Sequence, residues 1–270
     1  MSSVSIVVAT LDEERHIERM VRSALPLGPV YVVDAGSSDR TQELATAAGA
    51  RVYEHPWEGY SQQKNWALDH LPIDTEWVLF LDADEHLTER GCAEIAEAVQ
   101  RGGADGFLIP RRYIFLGRHL RHAWWYPDYQ LRLFRRERAR FEDRLVHEHP
   151  IVDDLVATLE EPLIHENLKG LTAFIERHNR YSELEARERL QPSAGRKQGS
   201  FRGAWLDRRR AVKERIWYRL PFRPLARFVW LYVVRRGFLD GRPGFLFCAL
   251  IASYELMIDA KIVELRRGQV

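Results

Sequence analysis

The first 110 residues alternate short, continuous apolar runs with helix-patterned stretches, and that alternation leaves few folds open. Ser5–Ala9, Val30–Val33, Trp77–Leu81 and Gly106–Ile109 are each too short for a helix, and Arg51–Tyr53 is a shorter run of the same kind. Between them, Asp12–Ala24 sets Ile17, Met20, Val21 and Ala24 at helical spacing. Asp39 is placed to cap a helix running to Ala48, Gly59–Leu71 reads as helix, and Thr88 is placed to cap Thr88–Arg101. Strands that are apolar throughout and separated by helices predict an α/β domain with a mainly parallel sheet covered on both faces.

Polar residues gather where these strands end: Thr10 and Asp12 after the first, Asp34 after the second, Asp82 and Asp84 after the fourth. Open α/β sheets bind ligands outside the carboxyl ends of their strands, where the strand order reverses. An order beginning 3-2-1-4 sets the first and fourth loops astride that crevice. Taken singly, each of these residues also serves as an ordinary cap or turn former. The densest cluster is Phe80-Leu81-Asp82-Ala83-Asp84-Glu85-His86, three carboxylates in four residues, which repel one another unless something positive lies among them.

Neither glycine-rich phosphate loop, G-x-G-x-x-G or G-x-x-x-x-G-K-[ST], follows the first strand. The strand instead exits into Thr10-Leu11-Asp12-Glu13-Glu14, which repels phosphate. A nucleotide bound here therefore needs a metal bridge. Asp82-x-Asp84 offers hard oxygen ligands for Mg²⁺ or Mn²⁺, with a diphosphate completing the shell. Lys64 is either a phosphate contact or a solvated helix lysine.

Beyond residue 110 the rhythm changes. Aromatics crowd Trp124-Trp125-Tyr126-Pro127, and strand-like pieces at Tyr129–Phe134 and Leu155–Leu159 suggest an antiparallel extension. Leu168–Leu190 is patterned as an amphipathic helix, and Gln191–Gly203 as a basic loop rich in glycine. The net charge of +1 conceals an asymmetry: Arg196–Arg236 holds thirteen Arg or Lys against Asp207 and Glu214, so the remainder carries −10. A basic segment on an acidic protein points to an anionic partner for that segment. Nucleic acid and anionic lipid both qualify by charge, but no nucleic-acid motif is present there. The apolar stretches Phe228–Val234 and Phe245–Ile258 fall short of the roughly 18–20 residues that a spanning helix needs. Interleaved Trp217, Tyr218 and Trp230 fit a membrane surface, while a packed C-terminal helical pair accounts equally for the second stretch. Two cysteines, Cys92 and Cys248, and the lack of a leader-like start predict a reducing, cytoplasmic setting.

Three segments, Ser5–Glu13, Val33–Thr41 and Leu81–Glu85, together resemble the signatures of family 2 glycosyltransferases with the GT-A fold. Phe115–Arg118, Trp125–Asp128, Arg132–Phe134, Val146–Glu148 and Arg236–Gly241 resemble a narrower branch, the lipopolysaccharide-core β-1,4-glucosyltransferase type. The resemblance implies a nucleotide-sugar-binding half over 1–110, an acceptor-side half of the same domain over 111–190, and a basic helical membrane-associating region over 191–270. It implies that Thr10, Glu13 and Asp34 surround the nucleotide base and ribose, and that Asp39 helps hold the Gly36-Ser37 turn. Asp82 then faces ribose or metal, and Asp84 ligates the metal. Asp12 stands where the family usually has Asn, which affects one local hydrogen bond.

The activity so implied is inverting transfer of a hexose, with UDP-glucose the donor suggested by resemblance. The acceptor is a glycolipid, and the enzyme sits peripherally on the cytoplasmic face of a membrane. Such a reaction needs a carboxylate to take the acceptor's proton. Asp128, following the aromatic residues Trp124, Trp125 and Tyr126, is the first candidate, and Glu148, between His147 and His149, is the second. Arg132 and Arg135 are candidate phosphate contacts. Three other activities share some of these features: transfer to a polyprenyl phosphate, nucleotidyl transfer, and noncatalytic nucleic-acid binding through the basic segment.

Overall fold

The computed structural model describes residues 4–141, 150–152, 155–190 and 222–268. The chain divides into two compact units, one of residues 1–119 and 125–168, the other of residues 120–124 and 169–270.

The first unit is built on one large sheet. Its strands are β1 (Val4–Thr10), β2 (Val30–Asp34), β3 (Arg51–Glu54), β4 (Trp77–Asp82), β5 (Glu85–His86), β6 (Gly106–Phe115), β7 (Arg118–His119), β8 (Asp128–Arg135), β11 (Val156–Thr158) and β12 (Leu163–Glu166), while β9 (Ala139–Phe141) and β10 (Pro150–Val152) pair separately. The order β3-β2-β1-β4-β8-β6-β12-β5 begins with the 3-2-1-4 arrangement that sets the first and fourth loops astride one crevice. β1 to β4 are mutually parallel. The extension is mixed: β8 runs antiparallel between β4 and β6, but β11 and β12 lie parallel to β6.

Alternation along the strands sends side chains into two cores. Ile6, Val8, Val32, Leu79 and Leu81 pack with Ile17, Met20 and Val21 of α1 (Ile17–Ala24), Ala45 of α2 (Thr41–Ala47) and Ile95 of α4 (Glu89–Arg101). Val7, Tyr31, Val33, Val78, Phe80 and Phe134 meet Ala67 and Leu68 of α3 (Tyr60–His70) on the opposite face. Each fully buried aliphatic side chain contributes about 1.5–3 kcal/mol, which holds the strand ends in fixed register.

Helix α1 begins at Ile17 rather than Asp12, because the backbone before it is engaged elsewhere. The N–H groups of Asp12, Glu13 and Glu14 donate to Ser37 Oγ (2.8 Å), Thr41 Oγ1 (2.7 Å) and Asp39 Oδ2 (3.1 Å). Asp12 itself adopts a left-handed φ of 53°, a conformation that Asn and Asp tolerate best. Thr88 caps α4 as expected, accepting the Gly91 N–H at 3.0 Å.

The second unit contains α5 (Gly170–Leu190), a helix at Arg223–Val229 continuing into a wider π-turn at Trp230–Val234, and a long helix at Gly241–Arg267. Glu255 and Asp259, which interrupt the apolar stretch of that last helix, face Arg227 (2.8 Å) and Arg223. No described helix is long and apolar enough to cross a membrane.

The Arg236–Gly241 segment has a definite task here. Asp240, 2% exposed, accepts the backbone N–H groups of Arg121 (3.2 Å), His122 (2.9 Å) and Ala123 (2.7 Å). Gly244 permits the close fit, since a Cβ there falls 2.4 Å from the Gly237 carbonyl oxygen. Asp240→Ala strands these donors and is expected to lower stability by about 2–3 kcal/mol, read from urea unfolding. An unchanged midpoint would mean that water substitutes for the carboxylate.

Candidate functional site

Register brings the polar strand ends level. Thr10 pairs with Asp34 and Ala9 with Asp82, so the ends of β1, β2 and β4 open onto one edge of the sheet. There Asp34, fully buried, closes the turn that follows it: Oδ1 accepts the N–H of Gly36 (3.0 Å) and Ser37 (2.7 Å), and Oδ2 accepts Ser37 Oγ–H (2.5 Å). Asp39 accepts the Thr41 N–H at 3.0 Å besides that of Glu14, tying this turn to the loop after β1. The Asp12 carboxylate does the same from the other side, accepting the Ser38 N–H at 2.7 Å. Glu13 contacts His16 Nδ1 at 2.5 Å; His16 Nε2 accepts the Leu168 N–H, so Nδ1 carries the proton toward Glu13. Thr10 Oγ1 is buried without a hydrogen-bond partner among the described residues. A buried hydroxyl left this way is open to a polar group of a ligand or to a water molecule.

The positive charge that the acidic cluster demands comes from β8 and β6. Asp82 lies on the Val78–Phe80 face of β4 and Arg132 on the Phe134 face of β8, so both stand over the same core layer. Arg132 Nη2 reaches Asp82 Oδ2 at 2.5 Å and Glu85 Oε1 at 2.7 Å. Burial alone pushes the Asp82 carboxyl up, but the Arg132 guanidinium and Lys64 ammonium outweigh it and hold it below the usual carboxylate range. Lys64 is 8% exposed and sits over the Phe141 ring, 5.2 Å from its centroid, so it is buried rather than solvated. Arg135 is the exception among the basic candidates: it pairs opposite Trp77, at the far end of β4, and bonds Asp105 at 3.0 Å.

Asp84 meets a residue that sequence reading passed over. The two residues of β5 pair antiparallel with β12, His165 opposite Glu85. This brings His165 Nε2 within 3.3 Å of Asp84 Oδ2, both side chains about one-tenth exposed. Nε2 makes no hydrogen bond among the described residues. Two donor atoms bound to one divalent cation at about 2.1 Å and near a right angle lie about 3 Å apart. The donor chemistry, the spacing and the orphaned nitrogen all fit a cation. His165 Nδ1 lies 3.5 Å from Arg111 Nη1, a group that can only donate to it. Among the described residues no set of three or more His, Cys, Asp and Glu is arranged as a closed metal site. Two protein ligands leave the remaining positions to diphosphate oxygens and water. Asp82, expected beside Asp84 as a ligand, pairs here with Arg132. The sequence signal for His165 is the one that marks Asp34 and Asp82, a polar residue ending a short apolar run, here Leu163-Ile164.

Asp128 opens β8 directly opposite Arg111 of β6. Its Oδ2 accepts from Arg111 Nη2 (2.6 Å) and Nε (3.0 Å), and its Oδ1 from Gln130 Nε2 (2.9 Å). The neighbouring aromatics differ in their surroundings. Trp125 is 42% exposed, and Tyr126 stands edge-on to His119 at 4.5 Å. Trp124 belongs to the second unit, where it packs edge-on against Phe247 at 5.6 Å. Glu148, the other candidate base, lies outside the described residues with His147 and His149, as does most of the basic segment.

Known proteins show the same pattern. The family model for glycosyl transferase family 2 matches residues 5–150. An uncharacterized glycosyltransferase of Rickettsia bellii is 26% identical over 97% of this chain and 86% of its own length. The lipopolysaccharide core biosynthesis glycosyltransferase LpsC of Rhizobium meliloti is 25% identical over 97% of this chain and 92% of its own. Among solved structures, S. aureus TarS 1-349 in complex with UDP aligns with a TM-score of 0.51 at 15% identity, covering 98% of this chain and 91% of that one. The shared architecture is the GT-A fold. Since the family match takes in more than half of the chain and every strand end that forms the crevice, the chain belongs to glycosyl transferase family 2 and is a glycosyltransferase.

Proposed function

We propose that this enzyme transfers a hexose from a nucleotide-diphosphate sugar to a glycolipid acceptor of the lipopolysaccharide-core kind, with inversion and with a divalent cation. UDP-glucose is the donor of choice. The observation that carries the reading is the Asp84–His165 pair, with its orphaned nitrogen, at the same sheet edge as the orphaned Thr10 hydroxyl. Thr10, with the Asp34-organised turn and Glu13, takes the base and ribose; Asp84 and His165 hold Mg²⁺ or Mn²⁺. When bound, the cation supplies positive charge to the departing diphosphate. Arg132 and Lys64 add positive charge beside Asp82. Asp128 accepts the proton of the acceptor hydroxyl as that oxygen attacks the anomeric carbon and the nucleoside diphosphate leaves from the opposite side. Arg111 and Gln130 fix its carboxylate plane for that task, and Trp125 offers an exposed ring on which a sugar can stack.

The glycolipid reading draws on similarity to LpsC over nearly the whole chain. It also draws on the second unit, which exposes Phe222, Leu225, Trp230, Val233, Val234 and Phe238. Apolar and aromatic side chains of this kind beside arginines suit a peripheral position on an anionic membrane face, here the cytoplasmic one.

Donor calorimetry tests the reading. UDP-glucose is expected to bind with Mn²⁺ present and to lose at least about tenfold in affinity with chelator, a difference of about 1.4 kcal/mol. Binding indifferent to chelator would remove the metal from the proposal, and no binding of any UDP-sugar would remove the donor class.

A further inference from the structure

Of the three carboxylates at the end of β4 and the start of β5, the proposed reaction gives the cation to Asp84, Asp82 pairs with Arg132, and Glu85 has no assigned part. Yet Glu85 is the most deeply buried of them, 1% exposed. Its Oε2 accepts the Asp82 N–H at 3.0 Å, and its Oε1 accepts Arg132 Nη2 at 2.7 Å while lying 3.7 Å from Arg111 Nη1. Each of those arginines continues to a second carboxylate, Arg132 to Asp82 at 2.5 Å and Arg111 to Asp128 at 2.6 Å. A ladder of alternating charge, Asp82–Arg132–Glu85–Arg111–Asp128, thus runs from the end of β4 across to β6 and β8.

We propose that Glu85 is a positioning residue that acts through Arg111 to hold the Asp128 carboxylate in place relative to the donor end of β4. This rests on Asp128 being the base. Two guanidinium groups within reach of one oxygen atom repel each other, and the buried anion between them is what keeps both there. Without its charge the arginines separate, and Asp128, gripped through two nitrogens of Arg111, moves with its partner. Buried ion networks seldom add net stability over apolar side chains of equal volume. What this one supplies is geometry, and a displacement of about 1 Å at a reacting group can cost about 10²-fold in rate.

The test is Glu85→Gln, alone and combined with Asp128→Asn, with kcat, donor Kd and thermal midpoint measured for each protein. The single variant is expected to lose about 10- to 100-fold in kcat while donor Kd stays within about threefold. In the Asp128→Asn background the same change is expected to lower residual kcat less than about twofold, because the path through Arg111 no longer ends on a base. Multiplicative losses in the double variant, or a donor Kd that weakens in step with kcat, would overturn the proposal. Full kcat in Asp128→Asn alone would instead overturn the assignment of the base, and this role with it. If Glu85→Gln does not fold, Glu85→Asp keeps the charge but is one methylene too short to hold both arginines. The same split between kcat and Kd is expected there, and its absence counts against the proposal.

Discussion

Replacement of Asp84 by alanine is expected to reduce transfer by at least about 10³-fold and to abolish the effect of Mn²⁺ on donor binding. Asp84 Oδ2 and His165 Nε2, 3.3 Å apart, are the proposed cation ligands, and stabilising the charge that develops on a leaving diphosphate is worth several kcal/mol, each 1.36 kcal/mol being tenfold in rate. Steady-state rates and calorimetry with and without Mn²⁺ separate the consequences. A loss of rate with intact metal-dependent binding would place the cation elsewhere. The fold is expected to survive, because Asp84 lies in the turn between β4 and β5, where its backbone oxygen still accepts the Glu166 N–H at 3.0 Å.

Asp128→Asn is expected to lower kcat by about 10²- to 10⁴-fold with donor affinity unchanged, the range over which a positioned general base contributes. Asparagine keeps the shape and can still accept from Arg111 through its oxygen, so the change removes proton affinity more than structure. Pre-steady-state turnover alongside donor Kd gives the answer. If affinity falls together with rate, Asp128 belongs to donor binding, and Glu148 becomes the candidate base.

Much of the first unit could be read from residue order because its strands are continuous apolar runs and its helices periodic ones. The polar strand ends Thr10, Asp34, Asp82 and Asp84 follow from that pattern, and the order 3-2-1-4 brings those of β1, β2 and β4 together. Less could be read where two segments share their hydrogen bonds. The start of α1 shifted to Ile17 because side chains from residues 37–41 take up the N–H groups of residues 12–14. β11 and β12 are three and four residues long, too short for periodicity to reveal their direction. The sheet contacts that orient them come from β6, some fifty residues earlier in the chain.

The same division holds at the site. Residue order by itself determined that acids end β4 and that something positive must lie among them, since like charges so close repel wherever the chain goes. Which cations those are was decided in three dimensions. Arg132 lies 50 residues from Asp82, and its partnership exists only because β8 inserts antiparallel beside β4. His165 stands beside Asp84 only because β12 pairs with the two residues of β5. Glu85, which residue order marks only as the third acid of the cluster, is buried between both arginines. Local pattern records what a residue requires of its surroundings; only strand pairing between distant segments determines which residues meet that requirement.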